Sequence, residues 1–592
     1  MTAAPYPDGS DGTWRPAGRA TAWLWWLDRA FERARASGKA EDDTRLRIFF
    51  VMALFAAAFA TLGLVATRAA LFSGLNAGGR GSGLTPEARA DLIDRNGQIL
   101  AVDLVRYGLY INPREISDPA ATKAALLSAL PALSLAHLDT ALTGPHKEYY
   151  VAGAIAPDVK QRIHDLALPG VTFAEEPARE YPLGHTGVHV IGFSDRGGRG
   201  LAGIEKALDT EIRDDAGREP VQLSIDLRVQ GALQDELEAA AQHFGVKDAV
   251  GMVVNVHTGE ILGMASWPDD FDANDPGKGN PAAMVNHAAA TVYEPGSVFK
   301  VFTLAMGLDA GTTTVETKYD VRNPLVLPGQ IIHDYDKQDA ALGQMPLWEV
   351  FTHSSNEGAA RMALQAGAAN MDKYWHAFGL YRKAPSELLE SARPLLPKRL
   401  TDNSVATMAF GHSISVTPLM IAAGMSSILN GGVYRPLTFR KLGPGQAPAP
   451  GRRVIAASTS RTMLNLMRLN ATIGTGRKAN VPGYRVGGKT GTATKLVNGR
   501  YSKGKLNLAS FAAIFPTDGP LDADRYYVLV MMDEPHATPE TGGFTTGGEV
   551  AAPIAGKLIE RIAPFVGVRR ILDTVAPDPK GPVDAGALVG RD

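Results

Sequence analysis

The chain has 592 residues, 45% of them hydrophobic and 21% charged, and its 60 basic and 62 acidic side chains give a formal net charge of −2. Such a composition supports a packed core. At about 150 residues per domain it implies roughly two to four domains, and it excludes collagen-like chains, wholesale disorder and a nucleic-acid binder working through bulk charge. There is no cysteine, which removes disulfides, thiolate catalysis, iron–sulfur clusters and cysteine-ligated zinc.

Residues 1–47 read as a cytoplasmic tail. Within it Trp23, Leu27 and Phe31 recur at helical spacing, which fits either a helix lying on the inner membrane surface or a mobile tail. Residues 48–67, IFFVMALFAAAFATLGLVAT, carry no charge and as a helix would span about 30 Å, the thickness of a bilayer core. Six basic residues (Arg29, Arg33, Arg35, Lys39, Arg45, Arg47) precede this run closely, against Arg68 and Arg80 after it. The asymmetry predicts a single-pass anchor with the N-terminus in the cytoplasm and the remaining chain outside the inner membrane. The rival readings are a buried core helix and a cleaved signal peptide, whose apolar run is shorter and nearer the N-terminus.

A linker, NAGGRGSG at 76–83, leads into a mixed α/β region over 84–220, the pedestal. Here Asn96-Gly97 between the apolar pairs Leu92-Ile93 and Ile99-Leu100 predicts a hairpin. Near Ser224 a helical stretch, DLRVQGALQDELEAAAQHF, opens a second domain over 224–565. Two apolar strands flank Thr258-Gly259, and three more strands are predicted at Tyr484–Thr494, Leu508–Phe515 and Tyr526–Met532. Helices are predicted between them at Ser297–Ala310, Leu347–Ala366 and Leu419–Leu429. Strands at both ends with helices between predict an α+β domain whose antiparallel sheet is assembled from both ends of the segment. Residues 566–592, rich in proline and glycine, read as a disordered tail.

No metal-ligand spacing such as H-E-x-x-H occurs, nor a glycine-rich phosphate loop before a Lys-Ser/Thr pair, so neither metal nor cofactor is expected. His333, Asp334 and Asp336 read as a solvated loop. The lead is Ser297-Val298-Phe299-Lys300, where a serine opens an apolar helix and a lysine follows on the same face. A lysine kept neutral by its apolar neighbours could take the serine's proton, and the helix N-terminus favours an oxyanion there. Alone this pattern is weak. It is followed by Ser354-Ser355-Asn356 inside a predicted helix, then by Lys489-Thr490-Gly491 in GGKTGTA on a predicted strand. Glycines in a strand mark close backbone approach and suit an extended substrate along the edge.

The three motifs in this order resemble the penicillin-binding proteins and serine β-lactamases. The resemblance extends through YEPGSVFKVFTL, HSSNEGAARMAL and GGKTGTAT, and through LIDRNGQILA, AREYPLG, IGF, GLAGIEKALD and LSIDLRVQ, which are similar to the pedestal and junction of class B penicillin-binding proteins. It covers roughly residues 85–560, and Glu294-Pro295-Gly296-Ser297 resembles the division type within that class. Two departures flank the site: Asn286-His287, where the family often has Asn-Arg, and Ser413, where glycine is common.

The resemblance implies a transpeptidase fold on a pedestal and the cross-linking of peptidoglycan stem peptides at the division septum. By it Ser297 attacks the carbonyl between two terminal D-alanines, and Lys300 is the base. Ser354 relays a proton to the leaving amine, Asn356 holds the substrate amide, and Lys489 supplies positive charge. Thr490, Gly491 and Thr492 line the substrate, with the threonines near its carboxylate and the backbone N–H groups of Ser297 and Thr492 forming an oxyanion hole. β-Lactams are implied as inhibitors. Other divisome membrane proteins and a polytopic membrane glycosyltransferase, which polymerises strands, are implied as partners, and nucleic acid is not. Arg95, Arg179 and Glu205 are read as a buried ion-pair set that fixes the pedestal, in preference to a relay that activates the catalytic domain. The alternatives are an elongation-type transpeptidase, a D,D-carboxypeptidase or β-lactamase, and a non-enzymatic β-lactam sensor. The last would need a cytoplasmic output domain, and 47 residues are too few to bury a core.

Overall fold

The Asn96-Gly97 turn closes a hairpin as its sequence predicts. Gly97 takes φ +85°, and β1 (Leu92–Ile93) pairs antiparallel with β2 (Ile99–Ile111). The computed structural model describes residues 89–572 and 583–589 apart from 215–218, 277–279, 337, 498–499 and 503–505, together with Phe55 and Phe59. Apart from those two phenylalanines, the apolar run 48–67 and the tryptophan-containing tail lie outside the described residues. Among the described residues no helix is long and apolar enough to cross a membrane.

In the pedestal β2 is the long central strand. It pairs antiparallel with β3 (Tyr149–Ile155) and β4 (Val171–Glu180), while β1 pairs in parallel with β5 (Val221–Gln222). Helices α1 (Pro119–Ala129), α2 (Leu135–Thr143) and α3 (Pro157–His164) cover one side of this sheet, burying Leu126, Leu138 and Ile163 against Leu109 and Ile111. Where the pedestal nears the second domain, Glu205 is fully buried and accepts from two arginines. Arg89 Nε donates to its Oε2 at 2.9 Å and Arg179 Nε to its Oε1 at 2.7 Å. Asp103 and Asp209 complete the neutralisation at 3.1 and 2.7 Å. The expected trio is corrected in one member: Arg89, not Arg95, joins Arg179 and Glu205. Arg95 sits in the β1–β2 turn, where its backbone N–H bonds the Ile225 carbonyl, and it forms no ion pair among the described residues.

The second domain opens with α4 (Leu227–Phe244), capped by the Asp226 carboxylate and ended by Gly245 in the left-handed region at φ 57°. Val229, Leu233, Leu237 and Phe244 recur at helical spacing and all are buried. The hairpin β6 (Asp248–Asn255) and β7 (Ile261–Trp267) follows. The helices come next: α5 (Lys300–Asp309), α6 (Leu347–His353), α7 (Asn356–Ala366), α8 (Pro418–Leu429) and α9 (Ala457–Thr472). The chain then returns to the sheet with β8 (Gly487–Thr494), β9 (Asn507–Phe515) and β10 (Tyr526–Asp533), and closes with α10 (Ala551–Ile562). The strand order is β8-β9-β10-β6-β7, antiparallel throughout. This is the α+β arrangement the sequence predicts. Every residue of β10 is buried, as the apolar run Tyr526–Met532 leads one to expect of a strand covered on both faces, and Asp533 at its end is paired with Lys495.

α4 and α10 cover one face of the sheet, packing Leu233, Leu558 and Ile559 against Val253, Phe511 and Val528. The helical layer with α5, α8 and α9 covers the other through Phe299, Phe302, Ile421 and Leu466 against Met252, Ile514 and Leu529. Within the segment read as a disordered tail, a short turn at Ala585–Leu588 lies against α9: Leu588 is buried and Asn465 Nδ2 donates to its carbonyl at 3.2 Å.

Candidate active site

Ser297 is half-buried in a tight turn, Gly296–Phe299, that runs into α5. Gly296 is required there. Its φ is +61°, and a Cβ would fall 2.8 Å from the Thr492 carbonyl oxygen, so only glycine lets β8 lie this close to the serine. Lys300 begins α5 one turn later. Its Nζ is 3.1 Å from Ser297 Oγ, 2.8 Å from Asn356 Oδ1 and 3.2 Å from Ser354 Oγ, and it also donates to the Ser354 carbonyl. The side chain is fully buried, and that burial draws its pKa down to about 7 against the opposing pull of Asp334 and Asp339.

The predicted helix Leu347–Ala366 is interrupted at the motif it was expected to carry. Ser354 adopts φ +63°, which separates α6 from α7. A continuous helix would project Ser354 one way only. The break turns its Oγ and its carbonyl toward Lys300 together, and puts Asn356 at the first turn of α7. Asp334 holds this geometry: its carboxylate accepts from Ser355 Oγ at 2.6 Å, from Glu357 N at 2.9 Å and from Asn356 N. The reading of His333, Asp334 and Asp336 as a solvated loop is thus corrected at Asp334, which caps the motif helix and lies close enough to Lys300 to act on its charge. The signal was there, a loop aspartate facing a helix that starts with Ser-Asn-Glu, but the two are far apart in sequence and only the fold joins them.

Lys489 projects from the edge strand β8. Its Nζ donates to Ser354 Oγ at 2.8 Å and to the Thr490 carbonyl at 3.0 Å. Ser354 Oγ therefore bridges two lysines. Lys489 is also fully buried, and burial followed by the nearby Lys300 pushes its pKa well below the ordinary lysine value. Among protein groups alone it is thus poorly held as a cation, and a bound carboxylate would restore its charge. Thr490 Oγ1 shares a 2.8 Å hydrogen bond with Thr475 Oγ1, and Thr492 Oγ1 accepts from Gly547 N at 3.0 Å. Thr475 is a residue that sequence reasoning missed. A Cβ at Gly491 would meet Ser510 Oγ at 2.2 Å and the Pro295 carbonyl at 3.0 Å, which explains glycine at that point of the strand.

The structure thus brings together all of Ser297, Lys300, Ser354, Asn356, Lys489, Thr490, Gly491 and Thr492. One member is engaged differently from expectation: Asn356 turns its Oδ1 to Lys300 and its Nδ2 to the His333 carbonyl at 3.2 Å. Of the two departures, Ser413 takes φ +59°, a conformation in which glycine is unstrained, and its N–H bonds Glu294 Oε1 at 2.8 Å. His287 packs beside Asp248, and Asn286 caps the short helix that His287 begins. Chemically, a hydroxyl beside a buried amine whose pKa is drawn toward neutrality can act as a nucleophile with its own base.

Comparison with known proteins agrees with this geometry. The Penicillin binding protein transpeptidase domain family matches residues 249–560, and the Penicillin-binding Protein dimerisation domain family matches residues 84–240. A protein of Caulobacter vibrioides named probable peptidoglycan D,D-transpeptidase FtsI is 51% identical over 95% of this chain and 96% of its own length. The Escherichia coli K12 peptidoglycan D,D-transpeptidase FtsI is 30% identical over 80% of this chain and 82% of its own. In fold, the chain is similar to a crystal structure from Atopobium parvulum DSM 20469 described as that of a candidate peptidoglycan glycosyltransferase. The TM-score is 0.62 at 22% identity, over 81% of this chain and 98% of that one.

Proposed function

The chain belongs to the penicillin-binding protein transpeptidase family, and from that premise we propose that it cross-links peptidoglycan during cell division by serine acyl transfer. Ser297 Oγ gives its proton to Lys300 and attacks the carbonyl between the two terminal D-alanines of a stem peptide. The C–N bond breaks as Ser354 relays the proton held on Lys300 to the departing D-alanine amine, which leaves Lys300 neutral again. An amine of a neighbouring stem peptide then attacks the acyl-serine carbonyl. The new amide forms, the ester bond to Ser297 breaks, and the amine's proton returns to Ser297 Oγ through Lys300. Holding the acyl group on the enzyme lets it await the acceptor. The N–H groups of Ser297 and Thr492 stabilise the oxyanion, a contribution of about 3–4 kcal/mol per donor in acyl-transfer enzymes. Lys489, Thr490 and Thr492 receive the substrate's terminal carboxylate, and Gly491 admits its backbone.

The observation that carries this reading is Lys300, an amine 3.1 Å from the nucleophile whose burial brings its pKa to about 7, so that a large fraction is neutral at physiological pH. A β-lactam, whose strained amide mimics the scissile bond, acylates Ser297. The test is labelling with a fluorescent penicillin followed by peptide mapping. Label on Ser297, lost in Ser297→Ala, is the expected result, and label persisting on another serine would overturn the assignment.

Residues 48–67 anchor the enzyme in the inner membrane with the catalytic domain outside, supported by the charge asymmetry around that run. Strand polymerisation is the work of a polytopic membrane glycosyltransferase acting beside it at the septum. A reporter fused after residue 592 is active outside the cytoplasm on this topology, and activity confined to the cytoplasm would exclude it.

A further inference from the structure

One carboxylate near the nucleophile has no part in the acyl-transfer machinery. Glu294 lies three residues before Ser297, and its side chain is only 14% exposed. Its Oε1 accepts from Ser413 N at 2.8 Å and its Oε2 from Tyr501 Oη at 3.4 Å, with His412 Nδ1 3.6 Å away. Among the described residues no lysine or arginine pairs with it. His412 does not neutralise it either, because burial and then Lys300 push the imidazole down to about 4. Burial accordingly raises the Glu294 pKa, as for a carboxylate short of counter-charge. The Tyr501 side chain is 44% exposed beside it.

The position of this group relative to a bound donor follows from β8. Of the residues that take the terminal carboxylate, Lys489 and Thr490 lie toward one end of the strand, and Thr492, whose side chain joins them, has its backbone carbonyl against Gly296 beside the nucleophile. Beyond Thr494 the chain forms the hairpin Leu496–Val497 and Arg500–Tyr501, which carries Tyr501 back to Glu294. A donor peptide running along this edge therefore passes Glu294, His412 and Tyr501 with the residues upstream of its D-alanines.

We propose that Glu294, His412 and Tyr501 form a subsite for a primary ammonium on the donor stem peptide, upstream of the bond that is cleaved. This rests on the acyl-transfer reading above. A carboxylate withdrawn from water and paired with no lysine or arginine among the described residues gains most from binding a cation, and an exposed tyrosine face adds a cation–π contact. The ammonium belongs to the donor rather than the acceptor because the acceptor amine must arrive where the D-alanine amine departed, on the Ser354 and Lys489 side. Stem peptides bear such a side-chain amine until it has been cross-linked, so the subsite selects donors whose own amine is still free.

The test uses the full-length protein in detergent and thioester analogues of the donor, with the side-chain amine free or acetylated, and water as the only acceptor. Wild type is expected to prefer the free amine by about tenfold in kcat/KM, through KM, the ratio that about 1.4 kcal/mol supports. Glu294→Gln, which keeps the hydrogen bond to Ser413 but not the charge, is expected to bring the ratio below about twofold. Glu294→Asp is expected to retain part of the preference. Because each ratio compares two donors on one protein, a general loss of activity cancels. Equal use of both donors by wild type, or an undiminished preference in Glu294→Gln, would overturn the proposal. So would an effect of Glu294→Gln seen only when the free amine is placed on an added acceptor. Failure of a fluorescent penicillin to label wild-type Ser297 would instead remove the acyl-transfer reading.

Discussion

The chain buries basic groups in two places, and the two are built on opposite plans. In the pedestal, Arg89 and Arg179 share the buried carboxylate of Glu205 and are completed by Asp209 and Asp103. Every charge there has a partner. In the catalytic domain Lys300 and Lys489 are just as buried, but they share a neutral hydroxyl, Ser354 Oγ. The first plan holds charges in place and leaves nothing to react. The second leaves two amines under-compensated, and the strain is relieved by losing a proton, which is the state a base must have. Burial of charge is a structural device where it is paired and a chemical one where it is not.

The contrast is broken most directly at Lys300. Lys300→Met is expected to lower acylation by fluorescent penicillin by about a thousandfold or more, yet to raise the melting temperature at pH 7. The sign follows from linkage. Lys300 has a pKa of about 7 in the folded protein and about 10.4 when unfolded. Between those values the unfolded chain binds the extra proton, so wild-type stability rises with pH across that window and is lowest below it. Lys300→Met removes that slope, and its advantage in melting temperature disappears near pH 10. A variant that melts lower than wild type at pH 7 would refute the claim that this charge is under-compensated.

Glu205→Gln is the converse experiment. It leaves two buried arginines without their shared carboxylate and is expected to cost about 3–5 kcal/mol in denaturant unfolding of the pedestal. The acylation rate of folded protein should stay within about threefold, since Glu205 touches nothing at the cleft; a large fall in that rate would favour a relay from pedestal to catalytic domain. Lys489→Arg is expected to lower acylation about tenfold, far less than Lys300→Arg, because guanidinium can serve as a cation but not as a base. Equal losses in both would mean that the two lysines do not have distinct roles. The smallest effect is expected at Asp334→Asn. Asn can still accept hydrogen bonds from the motif helix, but a negative charge that raises the Lys300 pKa is gone. The rising limb of acylation against pH should therefore move below its wild-type midpoint near 7, and a shift to higher pH would show that Asp334 acts by another route.

Ser297, Lys300, Ser354, Asn356, Lys489 and the β8 threonines were legible because each belongs to a short motif whose spacing already constrains it. The sheet was legible too, since β6 and β7 flank Thr258-Gly259 and β9 and β10 are mostly apolar segments of strand length. Asp334, Thr475, His412 and the replacement of Arg95 by Arg89 were not. Each acts across a long stretch of chain, and nothing in its own neighbours distinguishes it from an ordinary polar residue.

The sequence by itself determined the periodicities, the turns and the order of the motifs, because these depend on φ, ψ and side-chain pattern within a few residues. The tertiary structure decided three things that no local pattern contains. It broke the helix at Ser354, since the Asp334 cap and the two lysines reward a left-handed residue there. It removed Lys300 from water, which lowers its pKa to about 7 and suits it to the base role proposed above. And it left Glu294 without a lysine or arginine partner among the described residues while supplying two arginines to Glu205, because desolvation and pairing are set by which distant segments meet, and only the folded chain fixes that.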